Sequence, residues 1–165
     1  MVDEYFERIK ARYIQGDSRI LFETVLAVAE DIGRDQALGH LECCVLEKRL
    51  TWAELNLDNF ERTRDPVYDG YRFFYETYLN VSVPQDGEIV ERTAQKLVTR
   101  WWNPCPTLDA CQLLGLDTRE ICQRVYSRPV QALIQKLDPQ LRFTRNYVAI
   151  RPHALYCEEI IYLED

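Results

Sequence analysis

The chain has 165 residues, of which 47% are apolar and 28% charged, and a net charge of −7. That composition excludes intrinsic disorder, and a chain this long buries roughly 70% of the surface its unfolded form exposes, so it does not need disulfides to be stable. The acidic total argues against nucleic acid as a partner.

The chain opens Met1-Val2-Asp3-Glu4, acidic where a secretory signal would be basic. No stretch approaches the roughly 20 apolar residues that a membrane span requires. A cytoplasmic protein with no membrane partner and reduced thiols is expected, so its six cysteines need another explanation than pairing. Free cysteine also serves as a small buried hydrophobe.

Residues 3–14 read as a helix, with Tyr5, Ile9 and Tyr13 spaced four apart. Gly16-Asp17 breaks it, and Asp17 or Ser18 caps a second helix carrying Ile20, Leu21, Val25, Val28 and Ile32 up to Gly33. A third helix spans about 35–49 on the stripe Ala37, Leu41, Cys44 and Val45, and Thr51 caps a short one through Leu57 and Phe60. Asp65-Pro66 starts a helix whose aromatics Tyr68, Tyr71, Phe74, Tyr75 and Tyr78 are expected to face a core. Pro84 to Gly87 is a loop.

Glu88 to Trp102 then reads as a strand or long hairpin arm, stopped by Asn103-Pro104-Cys105-Pro106. Thr107 begins a short helix ending at Gly115. Asp117-Thr118 caps another over about 119–137, kinked near Pro129. Leu141 to Ile150 and Leu155 to Leu163 make two strands around a turn at Arg151-Pro152-His153-Ala154. The expected fold class is α+β, in a single domain over 1–165. Its helical N-terminal half (1–84) packs on a small antiparallel sheet with two helices (85–165), a β-α-α-β-β unit.

Charge is uneven along this order. Residues 1–91 balance to −9, residues 92–151 to +6 and the last fourteen to −4. Opposite charges docking within the fold explain this most simply. The arginines Arg100, Arg124, Arg142, Arg145 and Arg151 would alternatively suit a small anionic molecule such as a carboxylate.

The cysteines fall in two groups. Cys43 and Cys44 are adjacent on a helix and point about 100° apart; His40 shares a face with Cys44 at i, i+4, a pairing read as packing because two ligands fall short of a metal set. Cys105, Cys111, Cys122 and Cys157 are separated by 6, 11 and 35 residues, with no Cys-x2-Cys knuckle. Cys105 sits between two prolines at a strand-to-helix junction, where backbone N–H groups favour a thiolate. Cys122 lies in the first turn of the next helix, and Cys157 lies mid-strand with Glu159 on the same face. Cys111 suits core packing. His153, the only histidine of the C-terminal half, is the natural proton carrier for Cys105 or Cys157.

The run Asn103-Pro104-Cys105-Pro106, Asp109-Ala110-Cys111, Leu114-Gly115-Leu116-Asp117, the helical Cys122, Leu137-Asp138-Pro139 before Arg142-Phe143, and Tyr156-Cys157-Glu158 resembles the L-2-amino-thiazoline-4-carboxylic acid hydrolase family over roughly residues 95–163. A more distant similarity is to small-ligand domains of the 4-vinyl-reductase type, which end in a similar hairpin. The family's last strand commonly reads Gly-Asp before its cysteine, where this chain has His153-Ala154-Leu155-Tyr156.

The resemblance implies ring-opening hydrolysis of a cyclic amidine, such as a thiazoline carboxylate, towards a carbamoyl-cysteine. In that chemistry Cys105 attacks, His153 moves protons, Cys157 completes the catalytic set, and Arg142 or Arg145 holds the substrate carboxylate. The alternative is a non-enzymatic small-ligand or metal-binding sensor, in which Cys105, Cys122 and Cys157 converge on zinc or iron and the N-terminal helices form a homodimer.

Overall fold

The computed structural model describes residues 29–164 together with Glu4 and Glu7. The expected helix over 3–14 and most of the one ending at Gly33 therefore lie outside the described residues. The described elements run α1 (Arg34–Asn56), a 3-10 turn (Leu57–Asn59), α2 (Pro66–Tyr71) continued by a π-turn (Arg72–Tyr78), β1 (Gly87–Arg92), β2 (Lys96–Trp101), α3 (Pro106–Leu114), α4 (Thr118–Ile121) continued by a π-turn (Cys122–Tyr126), α5 (Ser127–Gln135), β3 (Leu141–Arg145) and β4 (Cys157–Leu163). The fold class is α+β, as expected.

Two compact units interleave along the chain: residues 1–49 with 105–129 form one, and residues 50–104 with 130–165 the other. Each has its own core. The first gathers Ala37, Leu38, Leu41, Cys44, Val45, Ala110, Cys111, Ile121 and Val125. The second is aromatic, built on Tyr71, Phe73, Phe74, Tyr75 and Trp101 with Leu97, Leu133, Ile134, Leu141 and Ile161.

Helix α1 begins in the first unit and continues without a break through residue 56, with none at Thr51 where one was expected. Thr51 is followed by Trp-Ala-Glu-Leu, and no glycine or proline interrupts the run, so a lone threonine does not end the hydrogen-bond ladder. The helix 119–137 does deform ahead of Pro129. Proline cannot donate and its ring clashes with the carbonyl four residues back. The backbone widens into the π-turn at Cys122–Tyr126, and Ser127 Oγ donates to the freed Cys122 carbonyl at 3.1 Å. Helix α1 is laced by charge to α4, the π-turn and α5: Arg34 on Glu120 at 2.6 Å, Arg124 on Asp35 at 2.5 Å, and Arg128 on Glu42 at 3.6 Å. The Arg124 guanidinium holds the Asp35 carboxyl below its usual range. In two of the three pairs the acid comes from the acidic N-terminal stretch and the arginine from the basic middle stretch.

In the second unit Asp65 caps α2, accepting from Tyr68 N at 3.0 Å, with Pro66 in the first turn. The π-turn that follows rotates Phe73, Phe74 and Tyr75 together into the core. The sheet is antiparallel throughout, in the order β1-β2-β4-β3. The stretch Glu88–Trp102 is a complete hairpin rather than one arm, because Thr93 Oγ1 accepts from Gln95 N and Lys96 N and folds the chain back. The stretch 85–165, expected as β-α-α-β-β, therefore runs ββ-αα-ββ along the chain. Strand β3 stops at Arg145, short of Ile150: Asn146 Oδ1 takes the N–H groups of Val148 and Ala149 and diverts the backbone. Strand β4 begins at Cys157 rather than Leu155, which puts the cysteine at the strand's start and not its middle.

Leu97, Thr99 and Trp101 of β2 pair with Ile161, Glu159 and Cys157 of β4, and β3 sets Phe143 against Ile161 and Arg145 against Glu159. This is the face that α2 covers; Gly70 allows the approach, since a Cβ there would stand 3.3 Å from Leu141 Cδ1. Beneath the π-turn the Glu159 carboxylate is buried. Its Oε1 accepts from Arg145 at 2.6–2.7 Å and its Oε2 from Tyr75 Oη at 2.6 Å. Burial, and then the Glu159 charge, push the Tyr75 phenol well up.

Removing one partner of a buried ion pair leaves the other uncompensated. Arg145→Met should therefore cost about 3–5 kcal/mol in urea unfolding, and Arg145→Met with Glu159→Met should recover much of that loss. A loss under about 1 kcal/mol, the range of an exposed pair, would show that the carboxylate does not depend on Arg145.

Candidate functional site

The candidate residues divide between the two units. Cys105, Cys111 and Cys122 belong to the first, and Arg142, Arg145, His153 and Cys157 to the second. Among the described residues no three His, Cys, Asp or Glu side chains form a group that could hold a metal ion.

In the first unit the sequence places Cys105 as the N-cap of α3, with Pro106 following and Gly115 closing the helix at φ +66°. Its side chain makes no capping bond to the helix. Cys105 and Cys122 are both partly exposed, whereas Cys111 and Cys44 are buried. Burial pushes the Cys111 thiol up to about 12, and charge on Cys105 adds to that. Cys111 and Cys44 therefore pack, and Cys43 is exposed.

What Cys105 and Cys122 share is Tyr126. Cys122 and Tyr126 are four apart on the same helical run, a spacing that puts them on one side. Thr107, in the first turn of α3, donates its hydroxyl to Tyr126 Oη at 3.1 Å. The buried Arg49 places its guanidinium 5.5 Å from the Tyr126 ring centroid. Burial raises the phenol to about 12; Thr107 and Arg49 pull it down, and charge on Cys122 or Cys105 pushes it further up. Two partly exposed thiols, a hydroxyl and a guanidinium thus each act on the Tyr126 phenol.

In the second unit Cys157 faces the covered side of the sheet beside Trp101. Arg151 Nε donates to its Sγ at 3.5 Å, while Arg151 Nη1 donates to the Asn103 carbonyl at 2.7 Å. One guanidinium so ties the 146–156 loop to the end of β2 and touches the sulfur. Next to it, Glu158 accepts from Arg100 Nε at 2.9 Å and from Asn146 Nδ2 at 3.1 Å, and those two contacts hold its carboxyl below the usual range. Arg100 also lies over the Tyr156 ring at 4.5 Å.

His153 is exposed in its turn. Of the two expected carboxylate clamps, Arg145 is already held by Glu159 with its side chain only 7% exposed. Arg142 donates to the Pro139 and Leu141 carbonyls and pairs with Glu164. Arg100 and Arg124 are likewise engaged by Glu158 and Asp35.

Sequence reasoning did not single out Tyr126, Thr107 or Arg49. The first had a legible signal in its spacing from Cys122. Arg49 had none, since its approach to Tyr126 is set by tertiary packing across 77 positions of sequence. No family model, no curated protein and no solved structure matches this chain. Among the described residues no helix is long and apolar enough to cross a membrane.

Glu158 gives a pH test. Its carboxyl is depressed in the fold, so its contribution to stability is complete above the unfolded value near 4.5 and fades as pH falls through the folded value. Glu158→Gln should lower the urea midpoint at pH 7, and the difference from the parent should shrink on going to pH 3. A difference that stays constant between those pH values would assign the loss to shape rather than charge.

Proposed function

We propose that this protein hydrolyses a small cyclic C–N/C–S compound of the thiazoline carboxylate type, with Cys105 as the attacking group. The observation that carries the reading is the setting of Cys105: a partly exposed thiol at a helix start, electrostatically linked to a high-pKa phenol that Thr107 of the same helix contacts. The Cys105 sulfur bonds to the ring carbon between nitrogen and sulfur. A ring bond to that carbon breaks, its departing atom takes a proton, and water then displaces the sulfur, so one water is consumed and the thiol is restored. His153, Cys157, Arg142 and Arg145 belong to the second unit, so this reading assigns them no step at Cys105.

A second reading is favoured by the electrostatic link of both Cys105 and Cys122 to Tyr126: a small-ligand module that grips a soft, thiol-seeking ion such as zinc or iron with these two cysteines, without turnover.

Cys105→Ala should abolish release of a new thiol or carbamoyl product from 2-amino-thiazoline-4-carboxylate while leaving the circular dichroism spectrum unchanged. Unchanged turnover would remove Cys105 from the site. If the parent protein shows no turnover but carries stoichiometric metal that is lost in both Cys105→Ala and Cys122→Ala, the binding module replaces the hydrolase.

A further inference from the structure

The Tyr126 cluster contains more chemistry than a single nucleophile requires. Thr107 Oγ1 stands 3.1 Å from Tyr126 Oη, and a phenol can both donate and accept, so this one bond leaves Oη capacity for a second partner. Arg49 lies over the ring rather than at the oxygen, where it favours negative charge on the phenol without blocking it. Cys105, Thr107, Cys122 and Tyr126 are all partly exposed, and Arg49 lies buried beside the ring. Buried cations are costly unless they face charge or a π-system, so the Arg49–Tyr126 contact is a feature that the fold maintains.

We propose that Tyr126 is the proton-relay residue of the Cys105 site, held in place by Thr107 and Arg49, and that the site takes small electrophiles with a carbon–nitrogen multiple bond: amidines, imines and nitriles. The proposal rests on Cys105 being the nucleophile. In the addition, the Cys105 sulfur forms a bond to carbon and the C=N π-electrons move to nitrogen. Tyr126 Oη gives its proton to that nitrogen and receives the proton that leaves the thiol. The net change is S–H added across C=N, with no oxidant or metal required. A phenol suits this role because it starts protonated at neutral pH, and Arg49 over the ring stabilises the charge that passes through it. The positioning residues would then act on the tyrosine and not on the substrate.

The test compares two probes on the full chain. Iodoacetamide alkylates a thiol without needing a proton on nitrogen. 2-Cyanopyrimidine adds to a thiol only as its nitrile nitrogen is protonated. In the parent protein both should label Cys105, located by peptide mass spectrometry. Tyr126→Phe should slow the nitrile addition at Cys105 by about 100-fold, the lower end of the range for a positioned proton donor, and leave iodoacetamide alkylation within about two-fold. Thr107→Val, which keeps the tyrosine, should give a smaller loss with the nitrile alone and serves if Tyr126→Phe does not fold. Equal effects on both probes in the folded variants, or no effect on either, would overturn the relay. Failure of both probes to label Cys105 in the parent would instead overturn the nucleophile reading, so the two failures are distinguishable.

Discussion

The second unit depends on how one carboxylate is held. Glu159 is buried, and taking an isolated carboxylate out of water costs several kcal/mol. The fold offsets that by satisfying both oxygens, one from Arg145 on β3 and one from Tyr75 above the sheet. The arrangement also decides register. The strand Cys157-Glu158-Glu159-Ile160-Ile161 contains two adjacent glutamates and two adjacent isoleucines, so its apolar pattern does not by itself say which residues face inward. A slip of one residue would turn Glu158 under the helix and Glu159 to the open face. Arg145 and Tyr75 give only one of those registers a compensated buried charge, and that register aims Cys157 at the covered side beside Trp101.

That dependence explains which parts of the fold were legible in the sequence. Several caps and stops are local and legible: Asp65-Pro66 opens α2, Gly115 closes α3, Asp117 caps α4, and the helix start expected at Thr107 falls one residue after the actual start at Pro106. Strand ends read poorly because side-chain hydrogen bonds set them. Asn146 ends β3 five residues before the apolar alternation does, and Thr93 folds a hairpin out of a stretch that periodicity alone presents as one arm. The false break at Thr51 has a similar origin, since a residue that caps well is also tolerated inside a helix whose neighbours favour it.

The candidate site was legible to the extent that it depends on residue type. Partly exposed Cys105, Cys122 and Cys157 separate from buried Cys44 and Cys111, a division that turn and prolyl context had anticipated for Cys105 and Cys111. What the sequence could not supply was company. Cys157 acquires Arg151 through a loop contact, and Cys105 acquires Tyr126 through Thr107, two residues on in the first turn of its own helix. Both relations run through side chains whose positions depend on packing rather than on spacing.

The arginines make the same point in the opposite direction. Counting along the chain draws attention to Arg100, Arg124, Arg142, Arg145 and Arg151, because they cluster in the basic middle stretch. In the fold the first four face the protein's own carboxylates; the exposed pairs among them contribute at most about 1 kcal/mol each, the buried Arg145–Glu159 pair being the exception. Arg49 sits in the acidic stretch and no count selects it, yet it is the guanidinium buried against an ionisable ring. Charge that the fold places in a poorly solvated position acts more strongly on its neighbours than charge in solvent, because less water screens it. For a reaction at Cys105 the cation that matters is therefore selected by burial, and that criterion favours Arg49 over Arg100 and Arg124.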